Sequence, residues 1–140
     1  MSAEISETQD IETCLMLRRE VFIKEQGVSE ADEIDDLDAE AVHLLARADG
    51  RPVGTARLLA EGETGKLGRV CVLAETRGTG LGAALVRAAV DHFRARPGIT
   101  RVKLGAQVHA LGFYERLGFE PYGPIYDDAG IDHRDMMLEL

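Results

Sequence analysis

The sequence predicts a mixed α/β (α+β) fold. One domain, residues 1–140, is expected to form a central sheet of about six to seven strands with helices on both faces. Three observations carry this. Strand-like runs follow one another from Val42 to Leu73, joined by tight turns. The hydrophobic period then becomes helical from Leu81 to Phe93. A strand-like run on each side of that helix makes a strand–helix–strand unit, which calls for a parallel pair with a right-handed crossover.

Taken in order, Ala3 to Ser6 reads as a short first strand. A helix is expected from about Thr8 or Asp10 to Glu25, with Ile11, Leu15, Val21 and Phe22 near one face and Gly27 ending it. The segment Glu30 to Glu40 carries seven acidic residues and reads as a loop with a helical turn. Val42 to Ala48 is a strand, and Asp49-Gly50 is a hairpin turn. Val53 to Ala60 returns, Glu61 to Gly65 turns again, and Lys66 to Leu73 is the third strand of the run. Leu81, Leu85, Val86, Ala89, Val90 and Phe93 form a helical stripe that Pro97-Gly98 stops. Arg101 to Ala106 alternates apolar and polar residues as a strand does. Ala110 to Leu117 is a short helix closed by Gly118, and Phe119 starts a strand. Asp127 to Gly130 turns, and His133 to Leu140 is the last strand.

At 140 residues the chain can bury roughly two-thirds of its unfolded surface in one core. Its 45% apolar and 29% charged residues are those of an ordinary globular domain. No apolar run is long enough to span a membrane, and the Met1-Ser2-Ala3-Glu4 start has no leader features, so a cytoplasmic location is expected. A net charge of −9 argues against nucleic-acid binding, which needs a basic footprint. The acidic segment is read as a solvated loop or as a rim that attracts a cationic acceptor. Cys14 and Cys71 have no metal-type spacing and are expected as reduced, buried thiols; no metal site is expected.

The residues Arg77-Gly78-Thr79-Gly80-Leu81-Gly82, followed by Ala83, lie between a strand and a helix. Glycine lets backbone approach a ligand, and the free N–H groups of a first helical turn, with the helix dipole, favour an anion. Arg77 adds a cation that can bind phosphate in a bidentate manner. A Walker A loop is excluded, because Ala83 stands where the lysine is required. A dinucleotide-binding loop fits the short glycine pattern. It fails on its position after three strands and on the strand end Gly105-Ala106-Gln107, which offers no carboxylate for a ribose.

Arg77-x-x-Gly80-x-Gly82 resembles the pyrophosphate loop of the GNAT superfamily of N-acetyltransferases. The run Gln107-Val108-His109-Ala110-Leu111-Gly112-Phe113-Tyr114, continuing to Gly118-Phe119, resembles the second signature of that family, with Gln107 where asparagine is usual. Phe22-x-x-Glu25-Gln26, Gly105-Ala106-Gln107 and Gly130-Ile131-Asp132-His133 are similar to the ElaA-like branch. The resemblance spans essentially the whole chain. It implies the GNAT fold, with the strands Lys66–Leu73 and Arg101–Ala106 as a parallel pair splayed at one end.

The resemblance further implies acetyl-CoA as co-substrate, without a metal or a covalent intermediate. The pantetheine arm would pair with backbone near Val70, Cys71 and Val72, and the thioester carbonyl would accept the Val72 N–H. The pyrophosphate would sit on the N–H groups of Gly78, Thr79, Gly80, Leu81, Gly82 and Ala83, with Gln107 bonding the cofactor by its amide. Tyr114 is carried over as the general acid for the leaving thiolate. Glu25, His43 and His133 are the candidate bases, and Phe22, Glu25, His43, Arg69 and His133 are candidate acceptor contacts. Arg18, Arg57 and Arg69 could meet an acceptor carboxylate, although surface arginines are the commoner case. Cys71 has no base in reach and is read as strand packing rather than as a nucleophile. The acceptor could be a small amine, a polyamine, an amino sugar, or a protein N-terminus or lysine. The chain could act as a monomer or a homodimer, and an acyl-CoA-binding sensor on the same fold is the alternative to an enzyme.

Overall fold

The computed structural model describes residues 3–140; Met1 and Ser2, half of the start read above for leader features, lie outside the described residues. The elements run β1 (Ala3–Thr8), α1 (Ile11–Arg18), α2 (Glu30–Glu33), β2 (Val42–Ala48), β3 (Arg51–Glu61), β4 (Thr64–Val72), α3 (Leu81–Arg94), β5 (Arg101–Gln107), α4 (Leu111–Glu115), β6 (Glu120–Asp128) and β7 (Ile131–Glu139). Asp10 caps α1 by accepting the Thr13 N–H at 3.2 Å and the Thr13 hydroxyl at 2.6 Å. The helix read from the sequence to Glu25 is one rod in two geometries, because Arg19–Glu25 is a π-helix. Gly27, at φ 73°, ends it.

The expected face of that helix needs correction. Cys14, Leu17, Arg18 and Val21 are the buried residues, whereas Ile11 and Leu15 are only half-buried. The reason is Arg18, which is drawn inside by carboxylates and turns the helix accordingly. Other boundaries shift by a few residues. β4 starts at Thr64 because the turn needs only Gly62 and Glu63, and β7 starts at Ile131. The expected helix from Ala110 to Leu117 splits into a 3-10 turn, Val108–Ala110, and α4.

The sheet has seven strands in the order β1-β2-β3-β4-β5-β7-β6. Every neighbouring pair is antiparallel except β4 with β5. That parallel pair is joined only at Thr64–Arg101, Gly65–Val102 and Lys66–Lys103, and beyond it the strands part. β4 also carries a bulge. Thr55 faces Cys71 and Arg57 faces Gly68, so β4 has one residue more than β3, and Arg69 lies at φ 51°. On one face α3 packs Leu81, Leu85, Val86, Ala89 and Phe93 into the main core. On the other face α1 packs Cys14 and Leu17, and the π-helical turn after it packs Val21, against Leu45 and Cys71. The mouth of the splay therefore opens between two packed layers, one helix on each side.

Candidate active site

The splay opens into a cavity of about 990 Å³. Its walls come from the end of the first helix (Phe22, Glu25, Gln26), from β4 (Gly68 to Val72), from the glycine loop, from the end of β5 and from the β6–β7 turn. Leu73 donates its N–H to Val53 on the β3 side at 2.8 Å. By strand alternation, the N–H and C=O of Val72 therefore face the gap. The Val72 carbonyl is met there by the Arg77 guanidinium at 3.1 Å.

Gly80 is the N-cap of α3 at φ 86°, a left-handed conformation that costs glycine little. No side chain caps the helix, and its first backbone bond runs from Ala84 to Gly80. The N–H groups of Leu81, Gly82 and Ala83 are thus left to the cavity side, where Ser, Thr or Asp would ordinarily satisfy one. A Cβ built on Gly78 or Gly80 meets nothing within 4 Å, so the loop borders open space. These are the donors a diphosphate requires. The Leu81 side chain is buried in the core, and the Thr79 hydroxyl is spent on the Thr76 carbonyl, so both contribute backbone only.

Arg77 is engaged differently from the sequence expectation. Its fork meets the Glu25 carboxylate twice, at 2.8 and 2.9 Å. These hydrogen bonds hold the Glu25 carboxyl below the usual range, which makes Glu25 a weak proton acceptor. Gln107 is also engaged: it donates to Gln26 at 2.8 Å, and its carbonyl lies 2.6 Å from His109 Nε2. Two adjacent residues of the first helix, Glu25 and Gln26, thus reach one to each signature motif. The sequence motifs alone give no sign of these cross-links.

Tyr114 lines the cavity, held edge-to-face by Phe113 at 4.9 Å and Phe119 at 5.9 Å. Burial pushes its phenol up to about 12. Cys71, almost fully buried beside the same gap, is likewise pushed up to about 12 by burial. Such a thiol carries almost no thiolate at neutral pH and is not a nucleophile. Val70, Val72, Phe22 and Arg69 also line the cavity.

Among the candidate bases, His133 faces the cavity and His43 does not. His43 is buried on the α1 side of β2, with Nε2 2.9 Å from the Asp38 carbonyl. It is therefore removed from the acceptor contacts, because β2 lies two strands away from β4 and His43 does not line the cavity. At His133, Nδ1 lies 2.8 Å from the Ile131 carbonyl. A carbonyl only accepts, so Nδ1 carries a hydrogen, and in the neutral imidazole the lone pair is on Nε2.

The acidic segment is only partly a solvated loop: Glu30, Asp32, Asp36 and Glu40 are exposed, and the other three acids are not. Glu33, Asp35 and Asp38 fold back onto Arg18, Arg57 and Arg69, the three arginines considered above as acceptor contacts. Arg18 is 1% exposed and Arg57 7%, so neither reaches an acceptor. Arg69 is part-buried and its charge partners lie 3.4–3.5 Å away. Burial, followed by repulsion from Arg57 and Arg18, lowers its pKa. Asp32 and Glu33 are the members of the segment that line the cavity. Among the described residues there is no cluster of His, Cys, Asp or Glu fit to hold a metal, and no helix long and apolar enough to cross a membrane.

A seven-stranded mixed sheet with one splayed parallel pair, beside an uncapped glycine loop at a helix start, is the architecture of the GNAT fold class. The chain matches the Acetyltransferase (GNAT) domain over residues 5–140 and belongs to that family. It is 34% identical to the uncharacterized N-acetyltransferase YjcF of Bacillus subtilis, over 99% of this chain and 100% of that one. It is 33% identical to the protein ElaA of Escherichia coli, over 99% and 92% of the two chains. The crystal structure of E. coli ElaA superposes with a TM-score of 0.87 at 28% identity, covering 99% of this chain and 100% of that chain. An acyl-CoA N-acyltransferase from Pseudomonas aeruginosa superposes at 0.85 with 31% identity, covering 98% of each.

Proposed function

We propose that this protein transfers an acetyl group from acetyl-CoA to a primary amine by direct attack in a ternary complex. The observation that carries the reading is the uncapped start of α3 opening on the same cavity as the backbone of Val72. Together they offer a diphosphate site and an extended edge within one cleft. The N–H groups of Leu81 to Ala83 would hold the diphosphate, and the free edge of β4 from Val70 to Val72 would hold the pantetheine arm. When bound, acetyl-CoA supplies a thioester carbon at which a C–N bond forms and a C–S bond breaks.

The chain's own residues supply the rest. The Val72 N–H is the donor available to a carbonyl oxygen in the gap. His133 Nε2 is the base: it has a free lone pair, whereas the Glu25 carboxylate is engaged by Arg77. Tyr114 Oη holds the proton that sulfur needs. Burial raises the Tyr114 phenol to about 12, so it stays protonated and available as a donor throughout the neutral range.

Calorimetric titration with acetyl-CoA, followed by thiol-release assays over a broad amine panel, tests the proposal. Binding with thiol release on adding an amine is the expected result. Binding without release across the panel would favour a sensor that keeps the fold without turnover. Failure to bind acetyl-CoA would overturn both.

A further inference from the structure

Resting on the reading of His133 as the base, we propose that Tyr126, seated on Gly105, is the positioning residue that fixes the His133 imidazole. The geometry starts in a bulge. Tyr122 faces Asp135 and Tyr126 faces His133, so β6 places four steps against two of β7. Extra residues in an edge strand re-aim the side chains beyond them. Tyr126 is re-aimed across β7 towards β5: its hydroxyl donates to Asp135 Oδ1 at 2.8 Å. On β5 it occupies the space above Gly105, where an added Cβ would lie 2.5 Å from Tyr126 Oη. The next ring atom, Cζ, would be 3.8 Å away, an ordinary contact. Glycine weakens a strand interior, so its presence in β5 fits a site another side chain must enter.

With the phenol held at that end, the ring stacks on the His133 imidazole, centroids 6.0 Å apart and planes at 27°. The Nδ1 bond to Ile131 fixes one edge of the imidazole, and the Tyr126 ring fixes its face. Tyr126, Gly105 and His133 all border the cavity, and Tyr126 is 37% exposed. An aromatic side chain kept for core packing would be buried. The groups able to perturb His133 are Tyr126 and Asp128 on β6, Asp135 on its own strand, His109 in the turn after β5, and Glu25 paired with Arg77 across the cavity. Its β5 neighbour, Gln107, does not titrate.

The test reads the imidazole first and turnover second. Histidine-labelled protein is titrated by NMR, with His133→Gln assigning the resonance among the four histidines. The variants are Gly105→Ala, Tyr126→Leu, Tyr126→Phe and the double variant Gly105→Ala/Tyr126→Phe. Wild type is expected to hold His133 in the single tautomer with hydrogen on Nδ1. Gly105→Ala and Tyr126→Leu are expected to give mixed tautomers and a shifted titration midpoint. They should also lower kcat about tenfold, part of the full general-base effect, with acetyl-CoA affinity within twofold. Tyr126→Phe in the Gly105→Ala background removes the only atom in the clash, so the double variant should return to the Tyr126→Phe level. Should Gly105→Ala fail to fold, the two Tyr126 variants decide alone. An unchanged tautomer and midpoint in Tyr126→Leu, or no recovery in the double variant, would overturn the inference. Full activity in His133→Gln, by contrast, would remove the base assignment and this inference with it. Loss of activity there with an unmoved Tyr126→Leu tautomer removes the inference alone.

Discussion

Replacing Tyr114 with phenylalanine deletes one oxygen from the cleft and little else. The ring keeps its edge-to-face contacts with Phe113 and Phe119, and the hydroxyl has no hydrogen-bond partner among the described residues. Stability should therefore move by no more than about 0.5 kcal/mol. The kinetic effect is the loss of the acid that would protonate the departing thiolate. A positioned general acid contributes about 100-fold or more, so kcat should fall by about 100-fold. Steady-state thiol release at saturating acetyl-CoA measures it, and calorimetry should show acetyl-CoA affinity within about twofold of wild type, since the oxygen acts only on departing sulfur. The pH profile gives a second check. An acid must stay protonated, so activity is lost only as pH rises through the folded pKa, about 12. No decline attributable to Tyr114 should appear below about pH 11. A Tyr114→Phe enzyme within threefold of wild type would refute the reasoning.

Arg18→Met should remove the main partner of Glu33 and Asp38, leaving only Arg69 at 3.5 Å from Glu33 and Arg57 at 3.2 Å from Asp38, and cost about 3 kcal/mol. At this chain length that lowers Tm by about 10 °C in a thermal melt. In acid, burial pushes the Asp35 and Asp38 carboxyls up, but Arg57 and Arg18 outweigh it and hold both below the usual value. Their contribution is present in full above the unfolded value of 3.8 and is lost as pH falls through the lower folded values. Urea midpoints should therefore drop below about pH 4, and a midpoint flat to pH 2 would contradict the network. Glu25→Gln removes a carboxylate from beside the proposed diphosphate site and releases the Arg77 fork. Calorimetry should show acetyl-CoA binding about five- to tenfold tighter, diminishing with added salt. Iodoacetamide at pH 7.5 should label neither Cys14 nor Cys71 in the native protein, since both are buried and both thiols are raised by burial. Two alkylations should appear after unfolding.

The helix stripe from Leu81 to Phe93, the hairpin at Asp49-Gly50 and the strand–helix–strand unit were legible because each rests on local periodicity or turn chemistry. The splay was legible only through resemblance: nothing in Lys66 to Leu73 indicates that three residue pairs hold β4 to β5 and the rest do not. The least legible feature was charge. Arg18 and Glu33 are fifteen residues apart, as polar as any surface pair, and yet are almost fully buried together. Their burial depends on Arg57 and Arg69, which arrive from other strands, and no window of sequence contains the set. The sequence gives no signal for Tyr126, for a similar reason. Its role depends on a bulge in β6 and on an absent side chain at Gly105, two strands away.

The junction of β4 and β5 makes this sheet two sheets held by a short seam. Strands β1 to β4 form one half and β5 to β7 the other, and only Thr64 to Lys66 and Arg101 to Lys103 join them edge to edge. Above the seam, each half presents an unpaired edge to the cavity. An extended ligand arm lying there would complete the ladder as well as occupy a site. Its binding energy would count towards holding the domain together, about 2.7 kcal/mol at a ligand concentration one hundred times Kd. For a protein of this size that corresponds to roughly 9 °C in Tm. The co-substrate would then set how firmly the two halves are joined, and the folded domain would be most resistant to unfolding when it is loaded for reaction.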